Sequence, residues 1–155
     1  MPLLKTTTHT IDDIYALPDG QRAELIDGQI YNMAPPSPLH QELVALFTTE
    51  LQNYISKKHG NCKVYPAPFA VFIKDDDSNY VEPDISIVCD SNKISHRGCE
   101  GAPDFIIEIV SPSTVKWIIL QKMHFMPMQV FGSIGLWILP ENAQRYTDMR
   151  KMSRR

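Results

Sequence analysis

Apolar and polar positions alternate in recognisable patterns along roughly the first 110 residues. Helically spaced apolar residues predict a long helix from Ser37 or Pro38 to about Lys58. Asp27-Gly28 lies between two β-prone runs and predicts a hairpin. A short N-capped helix is expected over 10–17, and further strands over 64–65 and 70–73. This order of elements predicts one α/β or α+β domain built around a mixed sheet.

Two apolar runs, 81–88 and 105–110, each carry an acid inside a predicted buried strand. Asp84 stands where its strand begins, and Glu108 stands in the middle of its strand. A buried carboxylate is costly unless a cation, a hydrogen-bond cluster or a metal compensates for its lost hydration. If the two strands are neighbours, the two carboxylates can converge on one divalent ion.

Composition limits the class of protein and its compartment. No apolar run approaches the roughly 20 residues that a membrane span needs. The N-terminus lacks the apolar region of a signal peptide, so we expect a cytoplasmic protein. Cys62, Cys89 and Cys99 form no visible disulfide framework or zinc pattern, and we expect buried free thiols in a reducing compartment.

Four residues are candidates for chemistry: Glu24, His40, Asp84 and Glu108. Three of them also have a structural interpretation when taken singly. Glu24 could be an acid on an exposed strand, and His40 could be a helix-cap or surface histidine. Asp84 could belong to a turn after Pro83. Glu108, within Phe-Ile-Ile-Glu-Ile-Val, is the hardest to explain as structural. Two or three carboxylates with a base suit a metal-assisted hydrolase.

Four ordered motifs now identify a resemblance. They are E-L-I-D-G at 24–28, M-A-P-P-S-P-L-H at 33–40, E-P-D-I-S-I-V at 82–88, and G-A-P-D-F-I-I-E-I-V-S-P-S-T at 101–114. Together they resemble the Uma-type restriction endonucleases, of the restriction-endonuclease-like PD-(D/E)XK nuclease superfamily, over about residues 8–114.

The resemblance implies a fold, a cofactor and a substrate. The expected fold is a restriction-endonuclease-like α/β core, with a central mixed sheet flanked by helices. Asp84 and Glu108 would bind Mg²⁺ or Mn²⁺, and Glu24 and His40 would complete the catalytic site. DNA would be the substrate, and the resemblance leaves a homodimer open.

The chain departs from the family pattern after its second acid. The superfamily has Lys two residues beyond that acid, where this chain has Val110. The family commonly supplies a Lys from the following helix instead, in a segment ending Glu-Tyr-Trp-Ile-Val-Asp-Pro, and no such segment follows Thr114.

The composition changes at the same place. Residues 1–114 hold 16 acids and 8 Lys/Arg, whereas residues 115–155 hold 2 acids and 7 Lys/Arg, with five of the seven Met and both Trp. In a shifted reading frame, residues 117–140 can encode D-Y-I-T-K-N-A-F-Y-A-D-A-G-V-R-E-Y-W-I-V-D-P-A. We interpret 1–114 as an incomplete nuclease domain and 115–155 as a tail that follows a frameshift near 115–117, in the gene or in its sequencing. The C-terminal helix and strand of the fold would then be lost or altered, and the sheet shortened.

The sequence thus predicts a Mg²⁺-dependent DNA endonuclease, a hydrolase of phosphodiester bonds, whose activity in this copy is impaired. A catalytically inactive domain that binds nucleic acid or protein is the alternative, although the acidic body disfavours strong nonspecific DNA binding. A third hypothesis is a metal-dependent hydrolase that acts on a substrate other than DNA.

Overall fold

A computed structural model describes residues 8–73 and 76–110 and the backbone of one further strand at 133–138. The described elements, in chain order, are α1 (Ile11–Tyr15), β1 (Ala23–Ile26), β2 (Gln29–Asn32), α2 (Pro38–Lys57), β3 (Lys63–Pro66), β4 (Val71–Phe72), β5 (Ile85–Val88), β6 (Cys99–Glu100), β7 (Phe105–Val110) and β8 (Ser133–Ile138). The helices within these ranges are too short or too polar to cross a membrane.

The hairpin and the long helix predicted from the sequence are confirmed. β1 and β2 pair antiparallel around Asp27 and Gly28, whose φ angles of 47° and 74° suit a two-residue hairpin turn. Helix α2 starts at Pro38, and the Ser37 hydroxyl caps it by accepting a hydrogen bond of 3.2 Å from the His40 amide. The cap therefore fixes the helical turn that carries His40.

The central sheet has the strand order β3-β5-β7-β8. β5 runs antiparallel to both β3 and β7, whereas β8 runs parallel to β7. The predicted mixed sheet is confirmed. The expectation of a sheet shortened by loss of a C-terminal strand is wrong, because residues of this chain's own C-terminal part form β8 next to β7.

The two faces of this sheet contact different layers. On one face, Val64, Ile85 and Ile87 pack against apolar residues of α2, including Phe47 and Leu51. On the other face, Val88 of β5 and Ile106 of β7 pack with Ile26 of the hairpin and with residues in or next to β4 and β6: Val71, Ile73, Val81 and Cys99. The sheet is therefore enclosed between α2 and this second layer.

The predicted strand over 81–88 is divided in the structure. Val81 makes an isolated bridge to Val71, and β5 begins only at Ile85. Pro83, which cannot donate to a ladder, separates the two parts. As predicted, Asp84 immediately precedes a strand.

The expectation of three free thiols is wrong for two of the cysteines. Cys62 and Cys89 form a disulfide, while Cys99 is free and buried. The β3–β5 register pairs Lys63 with Val88, so the cysteines that flank this pair face each other. The cysteines therefore no longer indicate a reducing compartment, and the cytoplasmic location stays a prediction.

Candidate active site

The β5–β7 register brings the two predicted acids to the same place. Ile85 pairs with Ile107 at the end of the β5–β7 ladder, and Asp84 and Glu108 are the next residues beyond this pair on the two segments. Both of them line one cavity. The Ile109 amide donates a 2.7 Å hydrogen bond to Oδ2 of Asp84, which ties this carboxylate to β7.

His40 reaches the same carboxylate from the first turn of α2. Its Nε2 lies 3.1 Å from Oδ2 of Asp84. The hydrogen bond to Asp84 is the main cause that raises the pKa of His40 above its ordinary value of 6.5; burial opposes this shift, and the charges of Asp84 and Glu108 reinforce it. The imidazolium form is therefore favoured beside Asp84. Its Nδ1 is buried and has no hydrogen-bond partner within the described part of the chain.

Glu24 enters the site from β1. Its side chain is only 2% exposed, and its Oε1 accepts a 2.9 Å hydrogen bond from the Glu82 amide. This contact joins the hairpin to the segment that leads into Asp84. Glu24 is therefore buried and hydrogen-bonded. The alternative interpretation of Glu24 as an exposed strand acid is wrong.

A polar network behind the site was missed by sequence reasoning. Arg22 forms an ion pair with Glu82, and the Nε of Arg22 donates to Oε2 of Glu82 at 2.8 Å. The Tyr80 hydroxyl donates to the other oxygen of Glu82 at 2.6 Å, and burial together with this bond raises the pKa of Tyr80. The sequence contained a signal for this network. Arg22 and Glu24 are two residues apart in an extended segment, and so are Glu82 and Asp84. Residues at this spacing point to the same side of an extended segment, which places Arg22 and Glu82 on the same sides as the two candidate acids.

One cavity of about 510 Å³ joins these residues. Glu24, His40, Asp84 and Glu108, the four candidates from the sequence, all line it, and so does Arg22. Its apolar wall comes from the connector after β2 and the loop after β3, and includes Met33, Ala34, Pro36, Ala67 and Pro68. The structure thus brings all four candidates together, while their roles stay predictions.

The donor set suits one kind of metal better than another. Within the described ranges, no three His, Cys, Asp or Glu side chains are clustered as a complete metal-binding group. A zinc site needs three or four protein ligands, whereas Mg²⁺ is held by one or two carboxylates, with water and substrate phosphates as the other ligands. Asp84 and Glu108 fit the second description, with carboxylate oxygens as hard ligands.

Formal charge at the site also fits a divalent ion. Glu24, Asp84 and Glu108 are the acids lining the cavity; of the cations beside them, Arg22 is paired with Glu82 and His40 with Asp84. Three carboxylates therefore share the wall of one cavity. Two negative charges brought together are favoured by a dication between or beside them.

Known proteins resemble this chain in sequence and in fold. Residues 11–124 match the family Uma2, described as "Putative restriction endonuclease". An uncharacterized protein, slr1290, from Synechocystis sp. (strain ATCC 27184 / PCC 6803 / Kazusa) is 29% identical over 94 residues, which are 61% of this chain and 48% of that protein. The chain thus spans about half the length of this curated relative.

A solved structure has a similar fold. It is a "putative nuclease belonging to DUF820" from Anabaena variabilis ATCC 29413, with a TM-score of 0.51 and 24% identity, and the match covers 72% of this chain and 65% of that one. At this identity the likeness establishes the fold alone. The family match covers more than half of the chain and confirms the resemblance drawn from the four motifs: this chain belongs to the Uma2 family.

Proposed function

We propose that this protein is a Mg²⁺- or Mn²⁺-dependent DNA endonuclease that hydrolyses phosphodiester bonds. The single observation that carries the proposal is that Asp84 and Glu108, next to the last β5–β7 pair, line the wall of one cavity together with Glu24 and His40. The family description supports the nuclease part of the proposal. The carboxylate ligands support the choice of ion.

Asp84 and Glu108 would hold the metal ion, which supplies charge stabilisation and an activated water when bound. Both side-chain contacts of Asp84 described above, from His40 and from the Ile109 amide, are made by Oδ2. They fix the carboxylate while Oδ1 takes part in neither.

His40 and Glu24 would support the same centre in different ways. The position of His40 at the capped start of α2 holds its ring against Asp84, so we assign it the orientation of that carboxylate. Glu24 is fixed by the Glu82 amide and contributes a further carboxylate to the cavity wall. We assign Glu24 a role beside the ion or its bound water.

The absent family lysine is the reason to propose impaired activity. Val110 occupies the superfamily lysine position and is buried at the end of β7. Lys116 and Lys122 are close to the expected offset, but both lie outside the described residues. A lysine normally assists the water or the developing charge in such a site. The proposed frameshift at 115–117 would have removed it.

Nicking of supercoiled plasmid DNA tests the function. The purified chain is incubated with Mg²⁺ or Mn²⁺ beside Glu108→Gln and the matched control Glu50→Gln, which removes the same charge from an exposed position on α2. We expect metal-dependent nicking by the wild type and the control, and loss of nicking in Glu108→Gln. Equal nicking by all three proteins would contradict the assigned site.

A frame-corrected chain, with the family segment encoded over 117–140, tests the impairment. We expect it to nick DNA faster than the present chain. Equal rates would contradict the impairment. Folded protein that binds the metal but cleaves DNA in neither form would instead favour the inactive binding domain.

A further inference from the structure

We propose that Arg22 is the anion-binding residue of this site and holds a phosphate of the DNA strand beside the Asp84–Glu108 pair. Glu82 and Tyr80 are positioning residues that fix the Arg22 guanidinium for this purpose. This inference rests on the proposed nuclease function and deepens it.

The guanidinium of Arg22 is held from one side. Its Nε and Nη2 both contact Oε2 of Glu82, and Nη1 takes part in neither contact. The second oxygen of Glu82 accepts the Tyr80 hydroxyl, so the carboxylate itself is fixed at both oxygens. A guanidinium has five N–H donors in a rigid plane, and one carboxylate oxygen uses only part of them.

Burial distinguishes the two partners of this ion pair. The Glu82 side chain is 8% exposed, whereas that of Arg22 is 37% exposed. The acid therefore belongs to the interior, and the cation stands at the surface of the cavity. The guanidinium is fixed by a buried carboxylate and remains partly exposed at the cavity. Because it is already fixed, it can bind an oxyanion with little further loss of side-chain entropy.

Arg22 also stands where the cavities meet. It lines the 510 Å³ cavity of the candidate site and an adjoining cavity of about 480 Å³. Asn32, Met33, Ala34 and Pro36 line both cavities as well, so the two form neighbouring parts of one depression. A strand lying along it would pass Arg22 next to the acidic pair.

Electrostatics favour a cation of the protein beside the acids of this cavity, in addition to the proposed metal ion. Three carboxylates line the site cavity and would repel a phosphodiester that approaches without compensation. Val110 supplies no charge where the superfamily has its lysine. Arg22 lies on the cavity wall and forms its salt bridge with Glu82, whereas His40 contacts Asp84 itself.

Binding of a short fluorescein-labelled DNA duplex, measured by anisotropy with Ca²⁺ over a series of salt concentrations, tests the proposal. The proteins compared are the wild type, Arg22→Gln, Arg22→Lys and the matched control Arg97→Gln. Arg97 is an exposed arginine over the ring of Phe72 and close to Glu100, and it lines neither cavity. Both glutamine variants remove one positive charge, so a general charge effect is the same in each. Arg22→Lys keeps a charge to pair with Glu82, which protects the fold if Arg22→Gln is unstable.

We expect Arg22→Gln to bind about 10-fold more weakly than Arg97→Gln and to lower the slope of log Kd against log salt by about one. Arg22→Lys should fall between the wild type and Arg22→Gln, because an ammonium cannot make the same set of contacts. Equal affinities and salt slopes for Arg22→Gln, Arg22→Lys and Arg97→Gln would overturn the inference. If the variants bind equally and the wild type still nicks plasmid, the role of Arg22 is wrong but the proposed nuclease function remains supported. A wild type that neither binds the duplex nor nicks plasmid would overturn both.

Discussion

Strands β5 and β7 present two faces that differ in chemistry although their residues alternate along the same chain segments. Ile85, Ile87 and Ile107 face α2 and form an apolar layer with it. On the opposite face, Val88 and Ile106 join the second core layer, and Glu108, two residues after Ile106, lines the cavity together with Asp84. The same two strands therefore stabilise the fold through apolar residues packed against α2 and also carry polar residues where a cavity opens.

The largest expected effect comes from the polar face. Asp84→Asn keeps the shape of the side chain but removes the charge that would hold a divalent ion. We expect plasmid nicking to fall by about 1,000-fold, equivalent to roughly 4 kcal/mol of lost transition-state stabilisation, while the protein stays folded. Nicking rates and the urea midpoint are measured on the same preparation. Unchanged nicking would remove Asp84 from the active site.

The adjacent residue on the apolar face should behave in the opposite way. Ile85 is fully buried against the α2 layer, and Ile85→Ala leaves a cavity there. We expect the free energy of unfolding to fall by about 2–5 kcal/mol in urea titrations, with little change in the rate of nicking by the folded fraction. A large loss of rate in protein that remains folded would mean that the two faces are not functionally separate.

The disulfide provides a second test of the apolar face. Cys62 packs with the α2 layer and is joined to Cys89 across a separation of 27 residues. Replacing both with serine should lower the free energy of unfolding by about 3 kcal/mol, because the unfolded chain gains freedom. Metal binding should persist. Free thiols at Cys62 and Cys89 in the native protein, titrated under non-reducing conditions, would contradict this bridge.

The smallest effect concerns the core layer that packs against β5 and β7 on the side away from α2. Cys99 is buried in the second core layer, and burial raises the pKa of its thiol to about 11. At pH 8 the thiol is therefore almost wholly protonated, and only the thiolate reacts with iodoacetamide. Mass spectrometry should find Cys99 unmodified in native protein and alkylated after unfolding. Rapid alkylation of the native protein would mean that this layer is open to solvent.

The sequence predicted the parts of this comparison that depend on local patterns. Alternation and turn chemistry located the hairpin at Asp27-Gly28, helical spacing located α2, and an acid within an apolar run identified Glu108. Each of these signals lies within one element. The proximity of Asp84 and Glu108 needed only the further condition that β5 and β7 be neighbours, and they are.

The parts that depend on the register between distant segments were not predicted. The Cys62–Cys89 bridge follows from the β3–β5 pairing, and the Arg22–Glu82 pair joins residues 60 positions apart. β6 consists of two residues, too few for a period to be recognised. The C-terminal strand was expected to be lost or altered because the family pattern ends before it. It is not lost, since the backbone of β8 pairs along the whole of β7.

Titration with Mn²⁺, followed by the electron paramagnetic resonance signal of the free ion, tests the central claim most directly because it requires no catalytic turnover. We expect the wild type and the Glu50→Gln control to bind one ion, and Asp84→Asn and Glu108→Gln each to bind it at least about 10-fold more weakly. Equal Mn²⁺ affinity in all four proteins would contradict a metal site at the Asp84–Glu108 pair.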